Sequence, residues 1–269
     1  MARLAQSAPS IVTVEALAEL LDESAEVKAD AKTMVKGLVR LGWLRPAGVR
    51  GAWAFLPAGV DDLGDPYLGL RAWAAVAPTA RFALAGETAL WHLGYLPRRP
   101  ADVTVWVPFK KALPKGLEGT VRLVTTEFPK NVDDQTFSPT LALIKKRRLD
   151  LTAWASKLPA FGPEAVLVQM AQRPASIASW VEVAPVLENV VADIDIERLK
   201  LLLSSSTDAA KQRAAYFCEL SRASMHAMEL LPKRLVPVDL GKKGTGRWDN
   251  VTHVTDRLVF PLLNANAKG

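Results

Sequence analysis

Between Val27 and Gly51 six cations, Lys28, Lys32, Lys36, Arg40, Arg45 and Arg50, stand against a single acid, Asp30. Ammonium and guanidinium groups in such a run can hold phosphate oxygens, and an arginine can also read a guanine edge. The chemistry on offer is recognition of a polyanion rather than bond making. The clustering is local, because residues 11–26 carry Glu15, Glu19, Asp22, Glu23 and Glu26 with no Lys or Arg. Lys32, Lys36 and Arg40 recur at every fourth position. On a helix each would drift only about 40° from the last, giving one outward row roughly 12 Å long. A row of that length suits the major groove of a duplex.

A helix must carry that row, and the neighbouring residues supply one. Asp30 is placed to cap its start, where free amides and the helix dipole favour an anion. Met34, Val35, Leu38, Val39 and Leu41 then give an inward apolar stripe, and Gly42 ends the helix. Trp43 and Leu44 begin one apolar run and Trp53, Ala54, Phe55 and Leu56 form another, joined by a turn over residues 45–51. Arg45 and Arg50 would flank that turn as a wing. Upstream, Thr13 can cap a short apolar helix over residues 14–21. Helix, helix, hairpin and cations together predict a winged helix-turn-helix on double-stranded DNA. A helical hairpin whose charged face is merely solvated is the competing reading, and it leaves the wing-like continuation without a reason. An opening helix over residues 2–8 would have only about two turns.

Residues 57–66 hold two prolines, two glycines and three aspartates and read as a linker. The expected domains are therefore 1–59, a winged helix-turn-helix, and 60–269. Within the second, residues 67–77 and 87–96 read as helices and 81–85, 103–107 and 120–125 as strands. Residues 163–172, 176–191, 195–203 and 208–223 read as helices, and 244–263 returns to strand-like alternation. The fold class is thus α/β in the α+β sense, a small N-terminal module followed by a larger mixed α/β domain with a helical C-terminal part. The 269 residues, 49% hydrophobic and 23% charged with a net charge of +6, have the balance of a globular chain with a polyanionic partner. No uncharged apolar run approaches the roughly 18 residues of a membrane span. One cysteine, Cys218, allows no internal disulfide. A cytoplasmic chain without a membrane partner is expected.

One stretch could do covalent chemistry. Gly86-Glu87 opens a helix after a strand, and Asp102-Val103-Thr104 opens the next strand. The layout resembles the core of nucleotidyltransferases. Such enzymes need a small residue after the glycine, so that amides reach phosphate, and two carboxylates alternating on the strand for a metal pair. Here Glu87 places an anion in the phosphate turn, and Thr104 stands where the second carboxylate would be. No catalysis, metal or cofactor is therefore expected. His92, His226 and His253 have no partners at metal-ligand spacing. Cys218, between Phe217 and Leu220 and without a partnered base, reads as a buried, inert thiol. The run Lys145-Lys146-Arg147-Arg148 admits two readings, contact with an anionic partner or ordinary solvation at a helix end. Lys110, Lys111, Lys115, Lys242 and Lys243 read as solvated loop cations, and Trp73, Trp154 and Trp180 as core.

Several short motifs, in order, resemble one family. Leu41-Gly42-Trp43-Leu44, Gly51-Ala52-Trp53-Ala54-Phe55, Asp65-Pro66-Tyr67-Leu68 and Leu84-Ala85-Gly86 through Trp91-His92-Leu93-Gly94-Tyr95-Leu96 look like the AbiEi antitoxins. Arg147-Arg148-Leu149-Asp150-Leu151, Gly162-Pro163-Glu164-Ala165 and Arg173-Pro174-Ala175-Ser176 are similar to the two-domain mycobacterial members. The resemblance runs from about Val12 to Leu263. It implies an N-terminal winged helix that represses its own operon at its promoter, and a C-terminal domain that counteracts a cognate nucleotidyltransferase toxin. Carried over by position, it makes Lys32, Thr33, Lys36 and Arg40 the recognition face and Arg50 a wing contact. Gly37 departs from the pattern, where a long polar residue is expected. The alternative is a winged-helix regulator whose second domain senses a small-molecule effector and has no toxin partner.

Overall fold

The computed structural model describes residues 11–20, 25–57, 59–60, 63–149, 158–242 and 244–266. The opening helix expected over residues 2–8, the side chain of Lys28 and Trp154 lie outside the described residues. The described chain forms two compact units. The first runs to Arg81 and takes in Lys110–Val121 and Leu158, and the second holds the rest.

The first unit opens with β1 (Ile11–Thr13), α1 (Val14–Leu20), α2 (Ala25–Arg40), β2 (Leu44–Pro46) and β3 (Ala52–Phe55). Its strands form one antiparallel sheet in the order β1-β3-β2, with Val12 opposite Trp53 and Arg45 opposite Ala54. β1 was not expected from the sequence; three residues carry too little alternation to read as a strand. Thr13 caps α1 as expected, its hydroxyl accepting from the Ala16 amide at 3.1 Å. Pro46 is tolerated because β2 is an edge strand. Val12, Leu17, Ala31, Val35, Leu38, Leu44 and Phe55 make the core, and Trp43 stacks on Phe55 with ring centroids 6.2 Å apart. The helix α3 (Leu68–Val76) buries Leu70, Ala72 and Trp73 in the same unit. Its entry is held by Asp65, which accepts from the Tyr67 amide at 2.9 Å and from Arg71 Nε at 2.7 Å.

The second unit starts from β4 (Ala83–Leu84), α4 (Gly86–His92), β5 (Thr104–Trp106) and β6 (Arg122–Val124). β4 pairs antiparallel and β6 parallel with β5. Trp106 gathers Phe128, Phe137 and Phe161 within 5.3–5.7 Å, a cluster of rings from four separate segments. After α5 (Leu141–Lys146) the chain turns helical, with α6 (Pro163–Gln172), α7 (Trp180–Val183), α8 (Leu187–Val191), α9 (Ile196–Leu203), α10 (Asp208–Leu220) and α11 (Ser224–Leu230). α6 is buried at every position from Pro163 to Ala171. A helix covered all round must satisfy its polar side chains internally. Gln169 does so through the Gly86 amide at 2.9 Å and Ser176 Oγ at 3.0 Å, and Glu164 accepts from the Asp195 amide at 3.0 Å.

The helix expected over residues 176–191 is broken into α7, a 3-10 turn at Ala184–Val186 and α8. Pro185 removes an amide donor there, and Glu87 engages the amides of Ala178 and Ser179 before α7 begins. The last segment also departs from expectation. β7 (Val238–Leu240), β8 (Arg247–Asp249) and β9 (Val254–Asp256) form a third sheet, and the alternation then stops at a helix, α12 (Phe260–Asn266). Asp256 makes that turn. It is fully buried, with Oδ1 accepting from the amides of Leu258 and Val259 at 2.7 and 2.8 Å and Oδ2 from the Phe260 amide and the Tyr216 hydroxyl, both at 2.8 Å.

Candidate nucleic-acid interface

α2 sorts its residues by side. Ala31, Val35 and Leu38 are 0%, 3% and 5% exposed, whereas Lys32, Thr33, Lys36 and Arg40 all face solvent. Lys32, Lys36, Arg40 and Arg50 take part in no ion pair among the described residues, so no described acid neutralises this positive field by direct contact. The expected inward stripe is narrower than five residues. Met34, Val39 and Leu41 are 37%, 37% and 68% exposed. Met34 and Val39 sit on the flanks of the buried arc, and Leu41 lies past the helix end, where helical phase no longer applies. Asp30 does not cap a helix start, because α2 already begins at Ala25 and Asp30 is exposed within it. A Cβ added at Gly37 would meet nothing within 4 Å, so packing against the described residues does not require glycine there.

The helix stops through its backbone. Gly42 takes φ +80°, its amide donates to Val39 O at 3.1 Å, and the Trp43 amide reaches back to Leu38 O at 2.9 Å. This pair of bonds with glycine in the left-handed region satisfies the orphan carbonyls of the last turn. It also aims the chain into β2, so that Arg45 on the edge strand and Arg50 in the β2–β3 turn are both exposed. Four described positions on α2 and two on the hairpin thus stand in one compact unit, as the charge pattern anticipates.

The sequence gives no hint of a third contributor. The Lys110–Val121 segment, which reads as a solvated loop, packs in this unit as two 3-10 turns with Leu117 buried. A Cβ on Gly116 would lie 1.8 Å from Gly48 O, so two backbones touch where no side chain fits. Lys110, Lys111 and Lys115 are exposed on this segment beside the hairpin turn. Replacing Gly116 by Val should push the loop off Gly48. Overpacking of this kind costs about 1 to 2 kcal/mol, enough to open the contact roughly 5- to 30-fold more often. Trypsin should then cut at Lys110–Lys115 faster by a comparable factor, with helical circular dichroism unchanged. An unaltered cutting rate would show that the glycine contact does not hold the loop.

Residues 82–220 match the family described as the AbiEi antitoxin C-terminal domain. That span is more than half of the chain. The protein belongs to the AbiEi antitoxin family. A solved structure, the Rv2827c protein of Mycobacterium tuberculosis, is 38% identical with a TM-score of 0.84, covering 98% of this chain and 92% of its own. No curated protein matches.

Within the AbiEi-matched span the dense basic run resolves into two halves. Lys146 Nζ and Arg147 Nε bind Asp193 at 2.6 and 2.5 Å, and the Tyr95 hydroxyl donates to the same carboxylate at 2.9 Å. Arg147 also lies 3.9 Å over the Tyr95 ring. Burial pushes the Asp193 carboxyl up, but these three hydrogen bonds outweigh it and hold the group below its ordinary range. Lys145 and Arg148 remain exposed. Cys218 is buried, its thiol pushed up to about 12 by desolvation, as the inert reading requires. Trp73 and Trp180 are core. Among the described residues no group of three His, Cys, Asp or Glu side chains is placed to hold a metal, and no helix is long and apolar enough to cross a membrane.

Proposed function

We propose that this AbiEi chain is a cytoplasmic DNA-binding repressor of its own promoter and an antitoxin that counteracts a cognate nucleotidyltransferase toxin. Family membership supports the antitoxin role. The observation that carries the DNA-binding role is the row Lys32, Lys36 and Arg40, outward and without an ion pair among the described residues, on a helix whose opposite face is buried. The strand order β1-β3-β2 around two helices supports the winged helix-turn-helix reading. In this reading α2 enters the major groove with Lys28, Lys32, Thr33, Lys36 and Arg40, and the hairpin brings Arg45 and Arg50 to the phosphates. Residues 1–59 would be the reading head, with Lys110, Lys111 and Lys115 extending the wing's positive surface. Residues 60–269 would carry toxin neutralisation without catalysis of their own.

Co-expression tests the antitoxin half. The gene beside this one should encode a nucleotidyltransferase, and cells induced for that protein should regain growth when the full chain is supplied. Persistent growth arrest, with both proteins present in the cell, would refute neutralisation.

A further inference from the structure

Glu87, Asp102 and Thr104, drawn from the two halves of the transferase-like pattern, line a cavity of about 380 Å³ within the second unit. Its wall also holds the guanidinium groups of Arg98, Arg99 and Arg122 and the carboxylates of Asp102 and Glu182. The volume falls in the range that holds small ligands.

The transferase chemistry itself is blocked by the chain's own contacts. The Gly86 amide, which would face a phosphate, is already bound by Gln169 Oε1 at 2.9 Å. Thr104 offers no second carboxylate, and its amide is held by Thr88 Oγ1 at 2.8 Å. Glu87 does not point its charge at the glycine turn. Its Oε1 accepts from the amides of Ala178 and Ser179 and lies 3.9 Å from Arg122. Its Oε2 is buried with no hydrogen-bond partner, in a side chain only 3% exposed. A buried acceptor left empty is costly, and a ligand that brings an N–H or O–H would remove that cost. The arginines call for an anion on the same ligand, because guanidinium forks match phosphate oxygens and can also stack on a base.

We propose that this cavity binds a nucleoside phosphate without turning it over, the phosphate on Arg98, Arg99 and Arg122 and an amino or hydroxyl donor of the nucleoside on Glu87 Oε2. The pocket keeps the ligand class of a transferase while the phosphate has moved from the glycine turn to the arginine wall. This inference stands apart from the DNA-binding reading, since none of its residues lies on α2 or the hairpin.

Calorimetric titration of the full chain with each ribonucleoside mono- and triphosphate, and with inorganic phosphate and triphosphate, tests it. At least one nucleotide should bind saturably, tenfold or more tighter than the matching inorganic anion. The double change Arg98→Ala, Arg99→Ala removes two exposed side chains and should weaken that nucleotide at least tenfold. Glu87→Gln keeps an oxygen for the Ala178 and Ser179 amides and should erase the preference over the inorganic anion. Excess duplex DNA should leave the nucleotide bound. Saturable binding by none of the nucleotides, equal affinity for nucleotide and inorganic anion, indifference to the arginine change, or displacement by duplex would each overturn the proposal.

Discussion

The double variant Lys36→Ala, Arg40→Ala should bind the promoter duplex about 100-fold more weakly than the parent chain. Each lost contact from a charged donor is worth about 1.5 kcal/mol, and every 1.4 kcal/mol is tenfold. The salt dependence sharpens the test. Five or six cations on phosphate give a steep fall of log K with log salt, about 0.9 per contact, so removing two should flatten the slope by about 2. Both side chains are exposed and neither makes an ion pair among the described residues, so stability should shift by no more than about 0.5 kcal/mol. Wild-type affinity together with a wild-type slope would place the DNA-binding surface elsewhere. A lower affinity with an unchanged slope would mean that the helix itself had been disturbed.

Asp256→Ala should be the most destabilising single change in the second unit. One fully buried carboxylate satisfies the amides of Leu258, Val259 and Phe260 and the Tyr216 hydroxyl. Truncation leaves four donors without an acceptor where water has little access. Leaving one such group unmet costs about 1 to 3 kcal/mol, so a loss of roughly 4 kcal/mol or more is expected, lowering the thermal transition by about 10 °C. Asp256→Asn keeps one acceptor oxygen and turns an NH2 group toward the other donors, so it should fall between. A fall of less than about 1 kcal/mol for the alanine variant in denaturant titration would mean that water or a rearranged α12 supplies the missing acceptors.

What could be read before the fold was known were features set within a few residues. Lys32, Lys36 and Arg40 share a face because helical spacing puts them there. Thr13 caps α1 through a bond spanning three positions. Helix α6 ends where the pattern says, at Gln172. Where the sequence misled, the cause was a competitor from outside the window. Asp30 has the chemistry of a cap but lies inside a helix that begins earlier. Met34 and Val39 are apolar at helical spacing yet remain partly uncovered, on the flanks of the buried arc.

Local spacing by itself determined the cationic helix, the turn at Gly42, the single inert cysteine and the mixed α+β class, because each follows from backbone periodicity or side-chain type. Only the tertiary structure decided which charges are free and which are consumed. Asp193 reaches Arg147 across 46 positions and takes half of the basic run out of play. Glu87 reaches Ser179 across 92 and turns a broken catalytic pattern into a lined cavity. Gly116 brings a lysine loop onto Gly48. Such pairings depend on shape complementarity between distant segments, and no residue near either partner carries a signal of the other.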